Sequence, residues 1–488
     1  MVKLTFEPRS FDDIVPERQP TLGQALTPVI GMVLFLGVGA IALDLDPQMP
    51  LIWSIALTGL VGRYWLNIPW AEMYEGIVDG LRMGMQAILI LFVIYMLIAT
   101  LTAAGTIPAI IYYGLEVLTP GVFLPLTAIF AVIIAFTIGS SWTTAGTLGV
   151  AFMGIGAGLG VPAPMTAGAI LTGAYTGDKV SPLSDTTNLA AAVTNTELMT
   201  HVRTMRVGTG IAFVLSLLGY IALGFQFTGS IPLNQVETIQ TAIMQNYSVT
   251  PIVFLPLLIT FAFALYGYPA LPSLGAGVFA SVGTMLLAQG ISFTKAWDIA
   301  QNGAAPQTGT KVVNELLATT GLIGSSWTIT IVAAALALGG LLERTGILAA
   351  LAYHMRRIIS GTSSLTIGTG LSAITMNILT AEQYMSIVIP GMTLRGLYNE
   401  YDLENRNLSR AVEAAGTTTS ALIPWNAGGV YMAGVLGVPT LTYAPYYFLG
   451  FLSPLILFAM GLTGWRITHR DTTTESSTNA QTSSPTDD

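Results

Sequence analysis

Four short strings hold most of the polar chemistry of this chain. The first is Gly139-Ser-Ser-Trp-Thr-Thr-Ala-Gly146, in which Ser140, Ser141, Thr143 and Thr144 supply hydroxyls and the glycines allow a helix to unwind. Hydroxyls and exposed carbonyls can replace the water shell of a small hard cation; the alternative is small residues easing close helix packing. The second is Gly177-Asp-Lys-Val-Ser-Pro-Leu-Ser-Asp-Thr-Thr-Asn188. Asp178 and Lys179 are adjacent and so do not share a helix face. Asp185 lies among Ser184, Thr186, Thr187 and Asn188, and one carboxylate amid neutral oxygens can hold a cation or a proton in turn. A soluble loop could carry the same string as turn and capping chemistry, but here the flanks are apolar.

The third string places Thr375, Asn377, Thr380, Glu382 and Gln383 around a break between apolar stretches. An acid near membrane depth, such as Glu382, is expensive unless paired or protonatable, hence functional by default; the other reading is an interfacial acid on a helix N-terminus. The fourth runs from Arg410 through Glu413 to Ser420 and on to Ile-Pro-Trp-Asn426. Arg410 and Glu413, three apart, can pair with each other or meet a substrate. Asp185 is the first candidate for an acid that takes a cation and a proton in turn and Glu382 the next, with Asp185, Asn188 and Asn377 as the expected cation ligands.

Other chemistries are excluded. The chain has no Cys, and its three His (His201, His354, His469) are scattered. It has no His-Glu-x-x-His, no Gly-x-Ser-x-Gly and no Gly-x4-Gly-Lys-Ser/Thr, so neither an intramembrane enzyme nor an ATP-driven pump is expected, and no cofactor. Gly154, Gly156, Gly158 and Gly160 follow no strand and precede no base, which removes the dinucleotide reading. A net charge of −8 argues against nucleic acid.

The elements that must position these strings belong in a bilayer. Of the 488 residues 52% are hydrophobic and 9% charged, against about 25% charged in soluble domains. Stretches near 28–45, 51–66, 84–104, 121–139, 207–227, 251–267, 271–289, 322–341, 363–379 and 445–465 are apolar enough to predict spanning helices. Segments 140–176, 380–392 and 411–444 are interrupted by Gly, Pro, Ser and Thr, as helices broken in mid-membrane are. With the N-terminus in the cytoplasm, every Lys and Arg except Lys295 and Lys311 falls on the cytoplasmic side. The expected organisation is a cytoplasmic tail 1–27, a transmembrane unit 28–228, an extracytoplasmic linker 229–250, a second unit 251–466 and a disordered acidic tail 467–488. Both termini are then cytoplasmic in a multi-pass protein of the cell membrane.

The two units repeat at an offset of about 240: Ala103-Ala-Gly-Thr-Ile-Pro-Ala-Ile-Ile-Tyr-Tyr113 resembles Glu343-Arg-Thr-Gly-Ile-Leu-Ala-Ala-Leu-Ala-Tyr353, and Asn188 falls near Asn426. Loop 105–119 lacks Lys and Arg while its partner 343–361 carries three Arg, as units of opposite orientation require. The predicted fold is an all-α polytopic membrane protein of two inverted-topology repeats with broken or re-entrant helices, a layout that points to a secondary transporter with a midplane site.

Gly-Ser-Ser-Trp-Thr-Thr-Ala-Gly-Thr, Gly-Asp-Lys-Val-Ser-Pro-Leu-Ser-Asp-Thr-Thr-Asn-Leu-Ala, Ala-Glu-Gln-Tyr-Met-Ser-Ile-Val-Ile-Pro-Gly and Leu-Ile-Pro-Trp-Asn resemble the NhaC family of sodium/proton antiporters over about residues 20 to 466. The resemblance implies an ion-transporter-type fold, gradient-driven exchange, and sodium and protons as partners. It also implies an alternative, since the family includes exchangers of organic acids such as malate and lactate. Thr143 stands where many relatives have Gly, and Ala414 where many have Asp. The leading expectation is a sodium/proton antiporter with one carboxylate-centred site. The alternative is an exchanger of organic acids or amino acids, with Arg410 or Arg395 as the anion partner; a homodimer is compatible with either.

Overall fold

The computed structural model describes residues 9, 11–227, 233–357 and 359–470. The first half contains α1 (Leu22–Ala42), α2 (Gln48–Tyr64), α3 (Trp70–Met83), α4 (Met85–Ala103), α5 (Thr106–Val117), α6 (Pro120–Ile138), α7 (Ser141–Thr144), α8 (Val150–Gly158), α9 (Ala163–Val180), α10 (Asp185–Val193) and α11 (Leu198–Gly224). The second contains α12 (Leu233–Asn246), α13 (Leu255–Leu265), α14 (Ala270–Ala288), α15 (Phe293–Asn302), α16 (Lys311–Leu316), α17 (Gly321–Arg344), α18 (Ile347–Arg356), α19 (Thr362–Thr380) and α20 (Gln383–Thr393). It ends with α21 (Arg395–Glu400), α22 (Asn405–Val412), α23 (Ala427–Leu436), α24 (Thr440–Tyr443) and α25 (Phe448–Thr463). The described residues hold no strand, only an isolated bridge between Leu403 and His469. Six described helices are long and apolar enough to cross a membrane, and two bent pairs would each do so as one span. The chain is an all-α polytopic membrane protein.

Each of the ten predicted apolar stretches is mainly helical, but only six form single helices long and apolar enough to span, while 251–267 and 445–465 fall in pairs bent by 98° and 59°. Three expectations change. Segment 105–119 is the helix α5 rather than a loop, because Gly105 takes a left-handed turn (φ +88°) that starts a new helix straight after α4. The linker expected at 229–250 contains α12, whose Gln240 amide donates to the Tyr112 carbonyl of α5 (3.2 Å). Residues 467–470 are held, not free: the Arg470 N–H donates to Asp402 O at 2.8 Å and the Asn407 amide to Thr468 O at 2.7 Å. The rest of that tail, 471–488, lies outside the described residues, as do 1–8 and 228–232.

α3 was not foreseen. Its Glu72, Glu75, Asp79 and Arg82 hide an apolar face that packs along α17. The backbones meet closely there: a Cβ on Gly340 would lie 2.2 Å from Gly76 O, and one on Gly80 2.2 Å from Leu336 O. Small residues at such crossings let helices approach where no hydrophobic force joins them in lipid.

The halves share a plan. α4 and α17 each end at a left-handed glycine, Gly105 (φ +88°) and Gly346 (φ +75°). α6 and α19, 19 residues each, both stop at a left-handed residue, Gly139 and Ala381. A side-chain-capped half-helix follows at once: Ser140 caps α7 and Glu382 caps α20. The next break in each half restarts at a capped helix, α10 behind Ser184 and α23 behind Asn426. Asn426 thus corresponds to Ser184 rather than Asn188.

Candidate functional site

Breaking a helix exposes N–H groups that need acceptors, and the structure meets them with the acids of the four strings. At the first break Ser140 Oγ accepts from Thr143 N (3.2 Å), while Ser141 donates through its N–H (3.1 Å) and its hydroxyl (2.7 Å) to Asp178 Oδ2. Asp178 belongs to the last turn of α9 and is 3% exposed. A carboxylate on a half-helix N-terminus meets both free donors and the positive dipole end. Asp178 Oδ1 has no hydrogen-bond partner.

At the second break, Ser184 caps α10 and Asp185 follows as its first residue. Asp185 Oδ1 accepts from Thr186 N (2.8 Å), and Oδ2 accepts from the hydroxyl of Tyr384, near the start of α20. Asp185 is exposed even though both of its oxygens accept hydrogen bonds. At the third break Glu382 Oε2 accepts from Tyr384 N (2.5 Å), and Oε1 is buried without a partner. Tyr384 therefore ties Asp185 of one half to Glu382 of the other.

Glu413 lies at the start of a π-helical turn, Glu413–Thr417, and is 0% exposed. Single π turns frequently mark functional sites, and the other one here, Ala145–Gly149, follows α7 directly. Thr186 Oγ1 donates to Glu413 Oε1 (3.2 Å), leaving Oε2 free. Arg410 does not pair with Glu413, the first of its two alternatives, but turns to Arg466 O (2.9 Å). The cation near Glu413 is Lys179, wholly buried, whose Nζ donates to Ser453 Oγ at 2.6 Å. Arg395 is exposed at the start of α21.

The amides have structural partners. Asn188 donates to Pro182 O (2.9 Å) and Ser184 O (2.7 Å). Asn377 donates to Gly416 O (2.5 Å) and Thr419 Oγ1 (3.0 Å), and its own oxygen accepts from Asn426 (3.1 Å). No hydrogen bond joins Asp185, Asn188 and Asn377 to one another. Thr144 and Thr380 turn their hydroxyls to the carbonyls of Ser140 and Met376, whereas Thr187 reaches Asp178 O at 3.4 Å. Thr143 lends its carbonyl to Thr147 (2.7 Å).

The structure therefore gathers four acids, Asp178, Asp185, Glu382 and Glu413, at the broken helix ends of both halves. Three of them carry an oxygen without a hydrogen-bond partner. Sequence reading missed Tyr384 and Ser453. Tyr384 lies inside a quoted string, but nothing in its type announces a bond to an aspartate 199 residues away.

A description of the Na+/H+ antiporter family matches residues 14–187 and 173–465. The chain is 53% identical over 469 residues to an arginine/ornithine antiporter of Halobacterium salinarum, covering 96% of this chain and 97% of that one. It is 33% identical to a Na(+)/H(+) antiporter of Alkalihalophilus pseudofirmus, covering 92% and 97%. It is also 33% identical to a malate-2H(+)/Na(+)-lactate antiporter of Bacillus subtilis, covering 92% and 96%.

Proposed function

The chain belongs to the Na+/H+ antiporter family, and from that premise we propose that it exchanges cationic amino acids of the arginine/ornithine class across a cell membrane. The observation that carries this reading is the 53% identity over nearly the whole of both chains to an arginine/ornithine antiporter, against 33% to the relatives named for sodium. The site's chemistry supports it. Asp178 and Glu413 lie near one buried ammonium, Lys179, and Asp185 and Glu382 add two more carboxyl groups, so the site has more acids than bases for a cation to balance.

The same excess explains why transport would be exchange. Buried carboxylates without a counter-charge are costly, by several kcal/mol per ion. An empty site is therefore a poor state in which to cross the membrane, and a site refilled by a second cation is a good one. Asp178 Oδ1, Glu382 Oε1 and Glu413 Oε2 would receive the substrate's N–H groups, and the water-accessible Asp185 would stand at the entrance. The hydroxyl of Tyr384 would pass the state of Asp185 to the Glu382 cap across the two halves.

A second reading, sodium/proton exchange, is favoured by the same unpartnered oxygens. A proton on Asp178 Oδ1 or Glu382 Oε1 would neutralise the site as a sodium ion does. Uptake of labelled arginine into proteoliposomes loaded with ornithine separates the two. The amino-acid reading expects counterflow that needs internal ornithine and no sodium gradient. It fails if arginine stays outside while sodium drives proton movement.

We further infer two inverted repeats, 28–228 and 251–466, with both termini in the cytoplasm. Matching breaks and caps support the repeat. The charge map supports the orientation: Arg9 bonds to Glu72 and Arg344, Arg356 to Glu400, and Arg470 to Asn399, so these basic segments share one end of the molecule.

A further inference from the structure

We propose that the cavity between α11, α22 and α25 is a site for one chloride ion, held by Arg410 and Thr209. The ion is a fixture of the fold and not a transported species, so the inference stands apart from which cation is exchanged.

Arg410, near the end of α22, is 3% exposed. Its terminal nitrogens meet only neutral acceptors, Arg466 O at 2.9 Å and Asn407 Oδ1 at 3.5 Å. None of the ion pairs among the described residues includes it. Its Nε–H has no acceptor at all. Thr209 of α11, also 3% exposed, has a hydroxyl without a partner. The two residues line one cavity of about 10 Å³, whose wall also includes Met205, Ala414, Ser453 and Met460.

The remaining wall gives these donors nothing to bind. Ala414 brings only a methyl group. The Ser453 hydroxyl is already engaged, accepting from Lys179 Nζ (2.6 Å) and donating to Ala414 O (2.7 Å). Lys179 thus places a second buried cation directly behind Ser453.

Size and charge decide what the cavity takes. The space suits one water-sized body, which excludes an amino acid, and the guanidinium repels a cation. A water would satisfy the hydrogen bonds but leave a buried guanidinium without a counter-charge, a costly state in low dielectric. A monatomic anion does both. It accepts from Arg410 Nε and Thr209 Oγ1 and balances the charge. The weakly hydrated guanidinium is the cation best suited to such a buried pair. The flexible Met205 and Met460 side chains can adjust to chloride, which is slightly larger than water. The ion would join α22 to α11 and so steady the π turn that carries Glu413.

The test follows thermal unfolding of the purified protein as chloride replaces gluconate at constant sodium and ionic strength, for wild type, Thr209→Val and Ala414→Asp. Chloride should stabilise wild type saturably, since a ligand bound only to the folded state raises the midpoint. Thr209→Val keeps the shape and loses the hydroxyl, so half-saturating chloride should rise about tenfold. Ala414→Asp sets a fixed carboxylate in the same cavity and should remove the chloride response. If Ala414→Asp does not fold, Thr209→Val decides alone. No saturable response in wild type means that water alone fills the cavity. An unchanged half-saturation in Thr209→Val, or a folded Ala414→Asp that still responds, puts the chloride elsewhere. Each of these three results overturns the proposal and leaves the reading of the exchanged cation untouched.

Discussion

Asp178 Oδ2 accepts two hydrogen bonds from Ser141, at 3.1 Å from its N–H and 2.7 Å from its hydroxyl, while Oδ1 meets no donor. One oxygen is spent on holding a broken helix and the other is free for a ligand. Ser141→Ala removes the hydroxyl and keeps the backbone bond. A hydrogen bond to a charged group is worth roughly 1.5–3 kcal/mol. The variant should fold, and its half-saturation for the exchanged cation should shift about tenfold, measured as initial rates in proteoliposomes. An unchanged half-saturation would detach Ser141 from the site.

Glu382 combines a cap and a candidate ligand in one side chain. Glu382→Gln keeps an oxygen for Tyr384 N and loses the charge. Glu382→Ala loses both. Thermal unfolding in detergent should be near wild type for Gln and lower by the usual cap value of ~1 kcal/mol for Ala, while both lose exchange. Full activity in Gln would make Glu382 a cap alone.

Much of the span pattern was legible because lipid leaves few choices once backbone groups must be satisfied internally. Six of the ten apolar stretches form single helices long and apolar enough to cross, two more belong to bent pairs, and 51–66 and 363–379 do not reach that mark. α3 was not, since Glu72, Glu75, Asp79 and Arg82 read as a loop and its apolar face appears only against α17. The π turns at Ala145 and Glu413 carry no composition cue that separates them from α-helix. Candidate acids could be named from type and setting, but their partners could not. Asp178 meets Ser141 from 37 residues away and Glu413 meets Thr186 from 227. Asp185 drew attention as the lone acid among hydroxyls, yet both its oxygens are engaged, whereas neighbouring Asp178 keeps one open.

Lys179 and Glu413 are wholly buried groups of opposite sign that attract each other without forming a direct ion pair. Removing one of them leaves the other buried with less compensation, which is costly in low dielectric. Lys179→Met should lower thermal stability strongly, and Glu413→Gln should do so less, since its neutral amide can still meet Thr186. The double variant should recover most of the Lys179→Met loss. Additive losses would show that the two charges do not interact.

The charge map predicts which loops a membrane-impermeant thiol reagent can reach. The native chain has no Cys, so single introduced thiols report cleanly. Glu237→Cys on α12 should be labelled in intact cells, and Glu400→Cys on α21 only after permeabilisation. The reverse pattern would invert the orientation.

The central claim is that the free carboxylate oxygens at the broken helix ends carry the exchanged cation. Its most direct test is arginine uptake into ornithine-loaded proteoliposomes by wild type and by Asp178→Asn. Asn at this position can still accept from Ser141, so the half-helix keeps its anchor, but it brings no charge to the cation. Wild type should accumulate arginine against internal ornithine. Asp178→Asn should be folded and inactive at every arginine concentration. Wild-type maximal rate in Asp178→Asn at high arginine would contradict the account.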